Sequence, residues 1–276
     1  MNIKIVADSG SNLYTFPGVD FVSVPLKILA GDKEYVDDIH LNTTQMVEEL
    51  AAYKGRSGTS CPNVGEWLEA FGDGEAIFTI AITKALSGSH NAAVQAKQVY
   101  QEQHPDRKVC NLDTLSAGPE MVLIAEKIRE LAGQGLSFED IQQQVEAYMQ
   151  KTHLLFMLES VENLAKNGRV SPLVAKAVGF LNIRIVATAS SEGTISQLHK
   201  ARGEKKGLDI LVKEMKARGY CGGKVRIANS SNPQAAGTLK GMLESEFPQA
   251  DVTIAPCGGL CSYYAENGGL MVGFES

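Results

Sequence analysis

Residues 77–82 constrain the fold most, because apolar side chains occupy both the odd and the even positions of this run. A strand with one face in water alternates apolar and polar residues, so this run predicts a strand that is covered on both faces. Strands of that kind occur in parallel sheets flanked by helices. Further strands are predicted at residues 3–7, 21–29 and 108–112, with helices starting near residues 43, 62, 91, 119 and 137. The first half therefore predicts an α/β domain with a parallel sheet and helices on both faces.

The second half has a different pattern, which predicts a mixed sheet. Residues 184–189 and 194–199 form a candidate hairpin around the turn residues 190–193. Further strands are predicted at 153–158, 224–228, 252–255 and 269–274, and helices at 161–165, 172–181, 205–217 and 233–246. We therefore predict two α/β domains, residues 1–152 and 153–276, with a ligand cleft between them.

Composition narrows the class of protein. The 276 residues carry a net charge of −6, which argues against a sequence-independent nucleic-acid role. The N-terminus enters a predicted strand directly, without the basic and apolar regions of a signal peptide. No apolar run approaches the ~18 residues of a membrane span. These features predict a cytoplasmic protein whose five cysteines are reduced thiols, with the close pair Cys257 and Cys261 interpreted as buried small residues.

Two polar turns are the candidate binding residues. Residues 59–62 read Thr-Ser-Cys-Pro and precede an amphipathic run, with Pro62 suited to the first helical turn. Residues 87–89 read Ser-Gly-Ser and follow the buried strand. Helix N-termini carry unpaired N–H groups and a partial positive charge, so such turns favour an anion. Neither turn has the lysine and glycines of a nucleotide-binding P-loop, which favours a small carboxylate.

A catalytic interpretation stays open as the alternative. Ser87 and Cys61 are candidate nucleophiles, and His90 follows Ser87 by one helical turn. The chain has no G-x-S-x-G, H-E-x-x-H or G-x-G-x-x-G pattern. Asp8, at the end of the first strand, is interpreted either as a ligand contact or as a cap. The alternative function is a serine- or cysteine-dependent acyl hydrolase or transferase.

Six ordered motifs resemble the DegV family, the fatty-acid-binding proteins that act as the FakB component of bacterial fatty acid kinase. The family's D-S-(T/A) is similar to residues 8–10, its T-S-Q-P-(S/T)-x-G-E-(F/W) to residues 59–67, and its (G/K)-L-S-G-T-Y-x-(S/A)-A to residues 85–93. Its L-x-x-G-G-R-(I/L)-S resembles residues 164–171, its L-N-I-(K/R)-P-I residues 181–186, and its (V/A)-R-G-(R/S)-K-K-(A/G) residues 201–207. The resemblance runs nearly end to end and implies the two-domain DegV-like (EDD) fold.

The resemblance also implies a function and a set of head-group residues. It implies a non-enzymatic carrier of a long-chain fatty acid, with no cofactor and with the acyl tail buried between the domains. The implied carboxylate ligands are Thr59 and Ser87, with Arg202 near the head and Ser60 and Gly88 beside them. Tyr264 stands where kinase-coupled members have the histidine of T-H-T-G-P-G. A tyrosine hydroxyl donates one hydrogen bond but does not become cationic.

Partners follow from the same resemblance. It implies an acyl kinase to which the bound acid is presented, with Arg169, Lys205 and Lys206 as surface charges for docking. Membrane contact is expected to be transient at most. The tunnel is expected to be lined by apolar residues from both domains. An ordinary core face is the alternative interpretation of each candidate, and the candidates are Val170, Leu173, Val174, Val178, Phe180 and Leu181.

Overall fold

The computed structural model describes residues 2–170 and 182–276. The first half contains, in chain order, β1 (Ile3–Asp8), a short 3₁₀ helix (Ser9–Ser11), β2 (Asp20–Val24), β3 (Lys27–Ala30), β4 (Lys33–Val36), α1 (Thr43–Ala52), β5 (Ser57–Ser60), α2 (Val64–Phe71), β6 (Ala76–Ala81), α3 (Ser89–Gln103), β7 (Lys108–Asp113), α4 (Pro119–Gly133) and α5 (Phe138–Met149). The second half contains β8 (Thr152–Leu158), α6 (Glu162–Lys166), β9 (Ile183–Ala189), β10 (Ile195–Arg202), α7 (Glu204–Ala217), β11 (Lys224–Asn229), α8 (Pro233–Glu246), β12 (Asp251–Pro256), α9 (Gly259–Ala265) and β13 (Leu270–Glu275).

The predicted parallel sheet is confirmed. Its strand order is β2-β1-β6-β7, and every pairing is parallel. Helices α2 and α3 bury Trp67, Phe71 and Tyr100 against one face. Helices α4 and α5 cover the other face with side chains that include Met121, Ile124, Phe138 and Ile141. All six residues of β6 are buried, as its apolar pattern predicts.

A three-stranded antiparallel sheet, in the order β4-β3-β5, was not expected from the sequence. Residues 21–29 were predicted as one strand, but the chain forms β2 and β3 in different sheets, with Pro25 between them. Proline lacks the N–H that would continue the ladder. β5 pairs with β3, which places Thr59 opposite Ile28.

The mixed sheet of the second half is also confirmed, in the order β10-β9-β8-β13-β11-β12. β9 and β10 form the predicted antiparallel hairpin, and β11 pairs with β12 in parallel. One face packs on α7 and α8, whereas the other carries Phe156, Leu158 and Met271 toward the first half. The predicted helix at 172–181 lies outside the described residues, as do five of the six expected tunnel residues, Leu173, Val174, Val178, Phe180 and Leu181.

Helix α4 lies between the parallel sheet and the mixed sheet and joins the two halves of the chain. A Cβ added to Gly273 of β13 would lie 2.5 Å from the Glu120 backbone nitrogen, so helix and strand backbones are in direct contact. Arg226 of β11 donates to both carboxylate oxygens of Glu126 of α4, at 2.8 Å each. We propose the domain division at 152/153, which falls at the start of β8.

Cys257 and Cys261 are buried thiols, as interpreted from the sequence, whereas Cys61 is exposed. Across residues 2–170 and 182–276, no helix is both long and apolar enough to cross a membrane.

Candidate functional site

A cavity of about 280 Å³ lies between the parallel and the mixed sheet, and β5 of the three-stranded sheet adds to its wall. The described residues that line it come from both halves and are mainly apolar, among them Leu26, Ile82, Leu86, Phe156, Leu158, Leu164, Ile195, Leu260 and Met271. Its polar lining includes Thr59, Ser60, Ser87, Arg169 and Tyr264. The cavity is therefore an apolar space with hydroxyl groups and one guanidinium in its wall.

The parallel sheet presents its topological switch point to this cavity. The chain leaves β1 toward β2 on one side, whereas it leaves β6 toward β7 on the other. Loops diverge at such a point and open a crevice at the carboxyl ends of the strands. Ile82, directly after β6, lines the cavity.

Hydrogen bonds to the carboxylate of Asp8 hold the loop that carries Ser87. Oδ2 of Asp8 accepts from the Ser89 hydroxyl at 2.6 Å and from the Ile82 N–H at 2.9 Å. Asp8 also caps the 3₁₀ helix, because its Oδ1 accepts from the Gly10 N–H at 3.2 Å. Of the two interpretations offered for Asp8, the cap is thus confirmed. Burial raises the pKa of Asp8 to about 7, although its hydrogen bonds from Ser89, Ile82 and Gly10 oppose the shift.

Ser87 lines the cavity. Its Oγ accepts from the Ser89 N–H at 3.2 Å, so one lone pair of the oxygen is already engaged. The hydroxyl proton remains for another acceptor. Gly88 is the N-cap of α3, and because glycine has no side chain it leaves the first N–H groups of this helix uncapped by its own residue. A Cβ on Gly88 would lie 3.0 Å from the Cys61 Sγ, which shows how closely the two polar turns approach one another.

The turn at 59–62 differs from its prediction. Thr59 lies on β5 instead of at a helix N-terminus, and α2 begins after Asn63, whose side chain and Glu66 form a capping box. Pro62 precedes this cap, so its placement in the first helical turn was wrong. Thr59 therefore lines the cavity as a residue of a strand. Its Oγ1 lies 2.8 Å from the hydroxyl of Tyr264.

Tyr264 belongs to α9, a helix that the sequence did not predict. Asp37 holds the start of this helix by accepting from the N–H groups of Gly259 at 2.6 Å and Leu260 at 2.9 Å. Tyr14 donates to the same carboxylate at 2.6 Å. Burial raises the pKa of Asp37, opposed by these hydrogen bonds. A residue distant in sequence thus sets the position of Tyr264.

The arginine in the cavity wall is Arg169. Its Nε donates to the Leu86 carbonyl at 3.2 Å, and its guanidinium also bonds the Asn167 carbonyl. These contacts tie Arg169 to the loop that carries Ser87. Arg202 is exposed at the end of β10 and is not among the described residues that line the cavity. The structure thus brings Thr59, Ser60, Ser87, Gly88 and Tyr264 together, without Arg202.

Among the described residues, no histidine is hydrogen-bonded to a candidate nucleophile. His90 is half-buried on α3, and its Nδ1 has no hydrogen-bond partner among the described residues. Burial lowers the pKa of His90. Within the described part of the chain, no hydrogen bond joins His90 to Ser87 or Cys61, and no group of three or more His, Cys, Asp or Glu side chains is placed to hold a metal.

Comparison with known proteins decides the family. The profile described as "Uncharacterised protein, DegV family" matches residues 2–276. The chain belongs to the DegV family. A DegV domain-containing protein of Streptococcus pneumoniae is 46% identical over 279 residues, covering 100% of this chain and 99% of the relative.

Two solved DegV structures resemble this one along their whole length. The crystal structure of the Streptococcus pneumoniae Fatty Acid Kinase (Fak) B3 protein loaded with linoleic acid is 46% identical, with a TM-score of 0.98 and coverage of 100% of this chain and 99% of that one. A DegV family protein from Eubacterium eligens, loaded with heptadecanoic acid, is 42% identical, with a TM-score of 0.97 and coverage of 99% of each chain. The DegV fold expected from the motifs is thereby confirmed.

Proposed function

We propose that this DegV protein binds a long-chain fatty acid without chemically converting it. The observation that carries the proposal is a cavity that combines apolar walls from both halves with Thr59, Ser87 and Arg169. An apolar cavity with a few polar groups is the usual form of a small-molecule site. The linoleic and heptadecanoic acids in the two related structures support a fatty acid as the ligand.

The head group in this proposal is a carboxylate held by hydroxyl protons and a cation. Thr59 and Ser87 donate to it, while Ser60 and Gly88 line the cavity beside them. Arg169, in place of Arg202, supplies the positive charge, since Arg169 lines the cavity and Arg202 is not among the described residues that do. A carboxylate only accepts hydrogen bonds, so donors on each side suit it.

The acyl tail supplies most of the affinity. Burial contributes ~0.8 kcal/mol per CH₂, or on the order of 10 kcal/mol for a chain of about sixteen carbons. The head-group hydrogen bonds contribute less, because the carboxylate must first lose its water. The tail therefore sets the affinity, and Thr59 and Ser87 set the orientation. Neither role needs a cofactor.

A kinase partner is the finer part of the proposal. The relative from Streptococcus pneumoniae is named for a fatty acid kinase, which supports a role in presenting the carboxylate to a phosphoryl-transferring partner. Cys61, an exposed residue, and Gly88 lie beside the proposed head group, so this end of the cavity is reachable from solvent.

Titration of delipidated protein with palmitate tests the proposal. The double variant T59V/S87A keeps the side-chain shapes while removing both hydroxyl groups, and we expect its affinity to fall about a hundredfold. The matched control is T238V/S245A on the exposed face of α8, which should bind like the parent. Equal affinity of T59V/S87A and the parent would refute the head-group assignment. Stoichiometric labelling of Ser87 by an acyl-fluorophosphonate probe would instead favour the hydrolase alternative.

A further inference from the structure

The hydroxyls of Thr59 and Tyr264, 2.8 Å apart, face the same cavity. Each hydroxyl has one proton, so only one of them donates in this contact. Which one donates determines what Thr59 offers to a ligand. If Tyr264 donates, the Thr59 proton is free to point into the cavity.

A bound carboxylate determines which hydroxyl donates in the contact between Thr59 and Tyr264. Because a carboxylate only accepts, Thr59 must donate to it, and the Thr59 oxygen then accepts from Tyr264. We propose that Tyr264 is a positioning residue that fixes the Thr59 proton toward the ligand, so that the site selects carboxylates over head groups that carry their own proton, such as fatty alcohols. This inference rests on the proposed fatty-acid site.

The surroundings of Tyr264 suit a fixed donor. Its ring packs edge-on against that of Tyr263, with centroids 4.9 Å apart, and Asp37 anchors the helix that carries both. Burial raises the pKa of Tyr264, and the hydrogen bond with Thr59 opposes the shift only in part. The hydroxyl therefore keeps its proton across the neutral pH range.

The preference for carboxylates follows because an alcohol head group carries a proton that a carboxylate lacks. A fatty alcohol accepts from Thr59 and Ser87 as well, but its own proton then needs an acceptor. Arg169 has donors only, and a Thr59 or Ser87 hydroxyl that points its proton at the ligand turns its lone pairs away from the ligand, toward Tyr264 and the Ser89 N–H respectively. Without the Tyr264 hydroxyl, Thr59 is free to rotate and accept the proton of the alcohol.

The test measures the ratio of palmitic acid affinity to hexadecan-1-ol affinity, both delivered from cyclodextrin. We expect Y264F to bind palmitate about tenfold more weakly and hexadecan-1-ol no more weakly than the parent, so the ratio falls about tenfold. The matched control is Y263F. The Tyr263 hydroxyl bonds Ser57 at 2.8 Å and Asn167 at 3.0 Å, and Tyr263 is not among the described residues that line this cavity. Y263F should lower the melting temperature and leave the ratio unchanged.

A double-mutant cycle separates positioning from direct contact. If Tyr264 acts through Thr59, then Y264F should cost no further palmitate affinity in a T59V background. Additive losses would overturn the inference, because they would mean that Tyr264 touches the ligand independently. An unchanged acid-to-alcohol ratio in Y264F would overturn it as well. Failure of the parent to bind palmitate at all would instead refute the proposed function.

Discussion

At the scale of single residues, the site depends on buried groups that never reach the cavity. Asp8 is fully buried, yet it holds the Ser89 hydroxyl and the Ile82 N–H that shape the loop of Ser87. Its pKa rises from the ordinary 3.8 to about 7 because burial penalises the charged form. Folding is thus coupled to the protonation of a residue that holds the loop of Ser87 in place.

The pKa of Asp8 predicts the sign of a pH effect on stability. Between pH 4 and pH 7 the folded chain keeps a proton on Asp8 that the unfolded chain has lost. The contribution of Asp8 to the free energy of unfolding should therefore fall as pH rises through this window and level off above it. Urea denaturation at pH 5, 6, 7 and 8 should show a shallower decline for D8N than for the parent.

The control for this experiment is D32N, which changes an exposed aspartate on a turn. D32N should keep the parent slope, whatever its absolute stability. An identical slope in D8N and the parent would show that Asp8 does not titrate in this window.

The proposed role of Arg169, in place of Arg202, beside the carboxylate gives a second prediction at the residue scale. R169Q removes the guanidinium that lines the cavity and bonds the Leu86 carbonyl, and we expect palmitate affinity to fall about tenfold. R202Q removes an exposed charge and should change the affinity less than about twofold. Calorimetric titration of both variants decides between them. A larger loss in R202Q would restore the assignment made from the sequence.

At the scale of elements, local signals located most strands and helices but missed two that build the site. The Ser137 cap and the hairpin at 183–202 have short-range signals, and both formed as expected. β5 is a strand because it pairs with β3, although its Thr-Ser-Cys-Pro end has the composition of a turn. α9 is capped by Asp37, 222 positions away in sequence. Such pairings leave no local pattern, so the sequence predicts Thr59 as a candidate residue but not its contact with Tyr264.

The cap of α9 predicts a local loss of order. D37A leaves the N–H groups of Gly259 and Leu260 buried without their acceptor, and we expect the free energy of unfolding to drop by about 3 kcal/mol. Amide hydrogen exchange should accelerate most in α9. The control is D38A, whose carboxylate accepts, among the described residues, a single hydrogen bond from the exposed His40 N–H. Unchanged exchange in α9 of D37A would contradict the anchoring role.

At the scale of the whole molecule, the cavity exists because the two halves pack through α4. The sequence predicted both sheet types and a cleft, since these follow from the periodicity of strands and helices. It did not predict which faces meet, because the close approach of Gly273 to Pro119 and Glu120 and the pairing of Arg226 with Glu126 are set by tertiary packing. Arg169 was interpreted as a surface charge for the same reason, since its contact with Leu86, 83 positions away in sequence, leaves no local pattern.

Packing between the halves is tested by a matched pair of glycine variants. G273A places a Cβ 2.5 Å from the Glu120 nitrogen, so the backbones must separate, and we expect a loss of about 1–3 kcal/mol in the free energy of unfolding. G241A, on α8, has open space around its Cβ and should stabilise the protein by about 0.5–1 kcal/mol. Equal stability of the two variants, measured by denaturation, would show that the contact at Gly273 is not tight.

Native mass spectrometry of the protein as purified from bacterial cells tests the central claim most directly. The proposed function predicts one bound ligand per chain, with the mass of a long-chain fatty acid and recoverable by solvent extraction. T59V/S87A purified in parallel should carry less of it. A chain that carries no fatty acid and takes none up on incubation with palmitate would contradict the account.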